Sequence, residues 1–85
     1  MYYLYILLCK DNSIYTGVTN NIERRFSEHK NKKGGHYTSS HQAVKIIYKE
    51  EYLTQKEAFK RERQIKVWRK EKKLNLIKFG KPILE

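Results

Sequence analysis

YYLYILLCKDNSIYTGVT, residues 2–19, is the stretch whose reading decides the fold. Tyr2 to Cys9 is apolar on both alternating faces, the pattern of a central strand covered above and below. Lys10, Asp11, Asn12 and Ser13 then supply turn chemistry. Ser13 to Thr19 returns to β-branched and aromatic residues, so the two runs predict an antiparallel hairpin.

Outward from the hairpin, Asn20 is expected to open a helix, with Glu23 three residues on in a capping-box arrangement. That helix is predicted to run to about Asn31. Lys32 to Gln42 reads as a polar loop and Val44 to Tyr52 as a third strand. Thr54 and Glu57 form a second capping box, starting a helix that reaches roughly Trp68. A shorter helix is expected over Lys70 to Lys78, stopped by Gly80 and Pro82. No linker, repeat or low-complexity tract divides the chain, so residues 1–85 are read as one domain. The order β-β-α-β-α-α makes an α+β fold, a three-stranded antiparallel sheet flanked by helices.

Charge narrows the function. Nineteen Lys and Arg against nine Asp and Glu give a formal +10 and a pI near 9.8. A field of that sign attracts phosphates and suggests a polyanionic partner. The alternatives are basicity for solubility alone or docking on ribosomal RNA. A single Cys9 excludes an intramolecular disulfide and fits a reducing cytoplasm. The apolar run at the N-terminus has no basic n-region, and eight residues cannot span a bilayer. A soluble, cytoplasmic protein without membrane contact is therefore expected; nothing in the sequence specifies its oligomeric state.

Several positions are poorly explained by structure alone. Tyr5 and Tyr15 come from the two hairpin strands, and Tyr15, Gly17 and Thr19 share one face of the second. Gly17 marks either a bulge or a close approach of another group to the backbone. On the first helix, Ile22, Arg25, Phe26 and His29 fall within an arc about 100° wide, while Arg24 and Glu28 point the other way. Arg25 and His29 are thus held beside the core, where a charge needs a carboxylate or a phosphate. Ala58, Glu62 and Ile65 put Glu62 on or at the edge of the second helix's buried stripe, which Arg61 partly interrupts. That carboxylate either pairs with Arg25, the plainer reading, or holds a hard cation such as Mg²⁺.

These residues together resemble the GIY-YIG nuclease superfamily, in its small stand-alone bacterial form. Tyr3-Leu4-Tyr5 is similar to the GIY element and Tyr15-Thr16-Gly17 to the YIG element. Arg25 follows Gly17 after seven residues, His29 follows Arg25 after three, and Glu62 stands where such domains carry a metal-binding glutamate. The resemblance runs from Tyr2 to about Leu76. Two departures are local: Tyr3 replaces the first Gly, and Thr16 replaces the usual aliphatic residue. The late polar residue of the family is not placed by these motifs.

The resemblance implies a metal-dependent endonuclease acting on DNA or another nucleic acid. Glu62 would hold one Mg²⁺ or Mn²⁺ as Lewis acid. Arg25 would donate to the non-bridging oxygens. Tyr5 and Tyr15 would position the water, one of them acting as general base, and His29 would orient a tyrosine hydroxyl or relay its proton. The rival function is a non-catalytic nucleic-acid-binding module with the same fold. A third is a ribosome-associated or protein-binding basic protein.

For the nucleic-acid track, Lys60 to Lys73 holds eight basic and two acidic residues, +6 of the total +10. Lys56, Lys60, Arg63 and Lys70 are expected on one side of the second helix, beside Glu62. Lys30, Lys32, Lys33 and the loop Gly34 to Thr38 form a second surface, where Tyr37 could stack on a base. The three His and single Cys lack zinc-ligand spacing, and no recognition helix is evident.

Overall fold

The computed structural model describes residues 1–30 and 43–79. Three strands, β1 (Tyr2–Cys9), β2 (Ile14–Thr19) and β3 (Ala43–Tyr52), form one antiparallel sheet in the order β2-β1-β3. Three helices complete the order β-β-α-β-α-α: α1 (Ile22–Lys30), α2 (Gln55–Lys66) and α3 (Lys70–Phe79). The α+β architecture and the central place of β1 are as the sequence predicts.

The period-2 alternation of β1 divides the core. Leu4 and Ile6 point to one face and are fully buried with Ile65 of α2 and Leu76 of α3. Tyr5 and Leu7 point to the other, among Tyr15, Ala43, Ile46 and the α1 residues Ile22 and Phe26. Each buried aliphatic side chain contributes about 1.5–3 kcal/mol. Among the described residues, no helix is long and apolar enough to cross a membrane.

Helix boundaries depart from expectation in two informative places. The cap of α1 is Asn21, not Asn20: its side-chain oxygen accepts from the Arg24 N–H at 3.0 Å and its carbonyl from the Arg25 N–H at 3.0 Å. The Thr19 hydroxyl accepts from the Asn21 N–H at 3.1 Å and donates to the Asn21 carbonyl at 3.2 Å, so the turn out of β2 takes one residue more. Asn20 instead accepts from the Arg24 guanidinium at 3.0 Å. At the other cap the Thr54 hydroxyl accepts from the Glu57 N–H at 3.2 Å and donates to its carboxylate at 2.9 Å. That helix stops at Lys66, with Val67 as its C-cap, short of the expected Trp68.

The break at Val67 moves Lys70 off α2. It is the first residue of α3, and its ammonium donates to the carbonyl of Asn12 in the β1–β2 turn. Asn12 sits there in the left-handed region, φ 69°. Lys70 therefore does not continue a basic stripe from Lys60 and Arg63. The expected polar loop over 32–42, with Tyr37, lies outside the described residues, as do Gly80 and Pro82.

Candidate active site

Five of the singled-out residues, Tyr5, Tyr15, Gly17, Arg25 and His29, meet on the Tyr5 face of the sheet. Gly17 is the register partner of Tyr5 in the β1–β2 ladder, and that register runs unbroken from Tyr3↔Thr19 to Leu8↔Ile14. Gly17 is thus not a bulge. A Cβ there would come within 2.6 Å of the Tyr5 hydroxyl oxygen and 3.0 Å of the Tyr15 ring. The missing side chain gives the Tyr5 ring its place across the strand, a close-approach role.

The Tyr5 hydroxyl lies 2.8 Å from His29 Nε2, and Arg25 Nε donates to the same hydroxyl at 3.4 Å. The Tyr15 ring stands edge-on to His29, centroids 5.2 Å apart, and 6.2 Å from Tyr5. Helix α1 delivers both partners because its apolar side must face the sheet. Arg24 is exposed, Arg25 is half-buried and His29 is 1% exposed, as the helical arc requires.

Electrostatics follow from this enclosure. Burial pushes the Tyr5 phenol up to about 12, against the lowering bond from Arg25. Burial also holds His29 below the ordinary imidazole value, and the Arg25 charge adds to that effect. Burial opposes the charge on Arg25, yet bonds to Tyr5, Glu28 and Tyr15 outweigh it and raise its pKa. Disfavouring the imidazolium in this way suits His29 Nε2 to accept from the Tyr5 hydroxyl.

Glu28 was expected to point away from Arg25; instead its carboxylate meets Arg25 Nη1 at 3.3 Å while keeping 40% of its side chain exposed. Residues i and i+3 are neighbours on a helix, and the long guanidinium reaches back along that row. Arg24, Arg25 and Glu28 face Gln55 and Phe59 of α2 across an open cleft of ≈ 350 Å³.

Glu62 comes from the other side. Helix α2 packs Ala58 and Ile65 into the core, which leaves the Glu62 side chain 17% exposed, at the edge of the stripe. It forms an ion pair with Lys66, one turn on, at 3.5 Å. The Lys66 ammonium in turn stands 5.9 Å from the Tyr15 ring centroid on edge strand β2. Glu62 is close enough for its charge to raise Tyr5.

The donor set decides which ion such a site could hold. Among the described residues no three His, Cys, Asp or Glu side chains converge, so these residues offer no closed cage. One carboxylate whose charge reaches the Tyr5 hydroxyl fits a hard ion such as Mg²⁺, which takes oxygen ligands and keeps most of its waters.

Lys30, Lys60 and Arg63 are exposed. What the sequence reading missed is Lys66 and the partner of Arg61. Arg61 Nε and Nη2 donate to Glu50 at 3.0 and 3.3 Å, and the hydroxyls of Tyr48 and Tyr52 donate to the same carboxylate at 2.5 and 2.6 Å. Lys66 was findable: a Glu four residues before a Lys is the favoured helical pair.

Comparison with known proteins agrees with this architecture. The model of the GIY-YIG catalytic domain matches residues 1–75. UPF0213 protein SSP2268 of Staphylococcus saprophyticus is 44% identical over 79 residues, covering 93% of this chain and 96% of its own. A Staphylococcus aureus UPF0213 protein is 40% identical over 77 residues, covering 91% and 94%. The solution NMR structure of UPF0213 protein BH0048 from Bacillus halodurans superposes with a TM-score of 0.60 at 34% identity, covering 93% of this chain and 85% of that one. With its Tyr-x-Gly strand, its arginine–histidine helix and a match over most of its length, the chain belongs to the GIY-YIG family, among the small UPF0213 proteins.

Proposed function

We propose that this protein is a metal-dependent endonuclease that hydrolyses phosphodiester bonds in DNA or another nucleic acid, with Tyr5, Tyr15, Arg25, His29 and Glu62 as its working residues. The observation that carries this reading is the chain from Arg25 through the Tyr5 hydroxyl to His29 Nε2, at 3.4 and 2.8 Å. Together these contacts make a hydrogen-bonded path that ends on a buried imidazole beside an arginine.

Glu62 would hold a single Mg²⁺ or Mn²⁺, which when bound supplies Lewis acidity to the phosphate and the leaving oxygen. Arg25 would offer its guanidinium to the non-bridging oxygens, where charge accumulates. A phenol at about 12 does not ionise by itself near neutrality. Tyr5 therefore takes the proton of the attacking water as its own proton passes to His29 Nε2, so no free phenolate forms. Tyr15, across Gly17 from Tyr5, orients the water. Lys30, Lys60 and Arg63 supply sequence-independent contacts to the strand, and Tyr37 is proposed as a stacking residue of that surface.

The test is cleavage of labelled DNA and RNA structures by wild-type and Glu62→Gln protein in Mn²⁺ and in EDTA. Wild-type protein should cut only with the metal, and the variant should bind in EDTA as wild type does while cutting nothing. Undiminished cutting by the variant overturns the metal assignment. Binding without cutting by the wild type would leave the basic surface as the function.

A further inference from the structure

We infer that Lys66 is the resident counter-ion of Glu62, displaced when a divalent ion takes the carboxylate and thereby released to bind a phosphate beside the scissile one. The inference deepens the proposed function and rests on it. Its basis is the arrangement of three groups: the Lys66 ammonium lies 3.5 Å from Glu62 Oε2 and 5.9 Å from the Tyr15 ring centroid. The cation thus pairs with the proposed metal-binding carboxylate while lying over the ring of a tyrosine of the proposed hydrolytic cluster.

The two ends of the ion pair differ in freedom. Glu62 is 17% exposed and rooted at the core edge, whereas Lys66 is 49% exposed on a four-carbon stem. The lysine can leave by rotamer change alone, without moving α2. It also has reason to leave towards an anion. Lys73 of α3 is held below the ordinary lysine range by burial and then by the Lys66 charge, so two ammonium groups share this corner. Once the Glu62 charge is taken by a divalent ion, three cationic centres remain, and a phosphodiester oxygen is the group that relieves them.

Two consequences follow. Without nucleic acid, Lys66 competes with metal for Glu62, so removing it tightens metal binding. An exposed i,i+4 pair is worth up to about 1 kcal/mol, so the gain should be about twofold to fivefold. With metal present, Lys66 contributes to phosphate binding; in EDTA it is engaged by Glu62 and contributes little.

The experiment is a titration of Mn²⁺ into wild-type, Lys66→Met and Glu62→Gln protein, followed by the electron paramagnetic resonance signal of free Mn²⁺. It is paired with the anisotropy of a labelled oligonucleotide in Ca²⁺ and in EDTA. Lys66→Met should bind Mn²⁺ about twofold to fivefold more tightly, and Glu62→Gln should lose the site. Lys66→Met should also lose about threefold in oligonucleotide affinity in Ca²⁺ and nothing in EDTA. Mn²⁺ affinity equal to or below wild type overturns the inference, as does an equal oligonucleotide loss in both media. Lys66→Gln, with thermal melts of every variant, guards against a folding artefact. If Glu62→Gln keeps wild-type Mn²⁺ affinity, or wild type binds none, the metal reading itself has failed. If Glu62→Gln loses the site while Lys66→Met matches wild type, the inference alone has failed.

Discussion

Arg61 and Arg25 each reach from a helix to tyrosines on the sheet, Arg61 on the face of Leu4 and Ile6, Arg25 on the face of Tyr5 and Leu7. Arg61 ends on the Glu50 carboxylate, into which Tyr48 and Tyr52 also donate. Burial would raise Glu50, but bonds from Arg61 and then the tyrosines hold it below the ordinary carboxylate range. The Arg61 guanidinium also lies 5.3 Å from the Trp68 ring centroid. Arg25 ends instead on the Tyr5 hydroxyl, with Glu28 40% exposed as its carboxylate. One cluster balances its charge inside the fold. The other places a cation against hydroxyls and an imidazole, an arrangement suited to a visiting anion.

The largest test of that contrast exchanges the arginines for alanine in turn. Arg25→Ala should lower the single-turnover rate at saturating substrate roughly a hundredfold or more, the scale of one lost transition-state donor. Its melting temperature should change little. Arg61→Ala should do the reverse, and an equal rate loss in both would erase the distinction.

Glu50→Ala leaves Arg61 and two tyrosine hydroxyls without their acceptor. It should cost about 2–4 kcal/mol in denaturant unfolding, with Glu50→Gln retaining part. Because the folded pKa of Glu50 is lowered, its contribution is present above the unfolded pKa and is lost as pH falls through the folded one. A wild-type acid unfolding curve unchanged by Glu50→Gln would refute that role.

Gly17→Ala probes the other cluster. Its methyl group would meet the Tyr5 hydroxyl at 2.6 Å, so the ring must shift. About 1–3 kcal/mol of stability should be lost, together with the Tyr5–His29 geometry. A crystal structure of the variant with the 2.8 Å contact intact would show that the strand yields instead.

The smallest effect is in pH. His29 has a folded pKa below 6.5, so its neutral form favours folding. Stability should be full above the unfolded pKa and decline as pH falls from there towards the folded one. Melts between pH 5 and 8 should therefore slope in wild type and flatten in His29→Gln; the same slope in both would place the titration elsewhere.

The sequence by itself determined the element order, the central position of β1 and the face of α1 that carries Arg25 and His29, because these depend on periods of 2 and 3.6 residues and on local turn chemistry. It also located Glu62 at the edge of its stripe, since Ala58 and Ile65 have only one core to face. Tertiary structure alone decided the charge partners. Glu50 and Arg61 are eleven residues apart on different elements, and only the packing of α2 against the sheet makes one carboxylate serve an arginine and two tyrosines. The cap at Asn21 and the end of α2 at Lys66 were settled by hydrogen bonds among Thr19, Asn21, Ile65 and Trp68 that no periodicity encodes. The same holds for Gly17. Its place in a strand was legible, but the ring that needs its empty side comes from β1, and a cross-strand contact of 2.6 Å exists only once the register is formed.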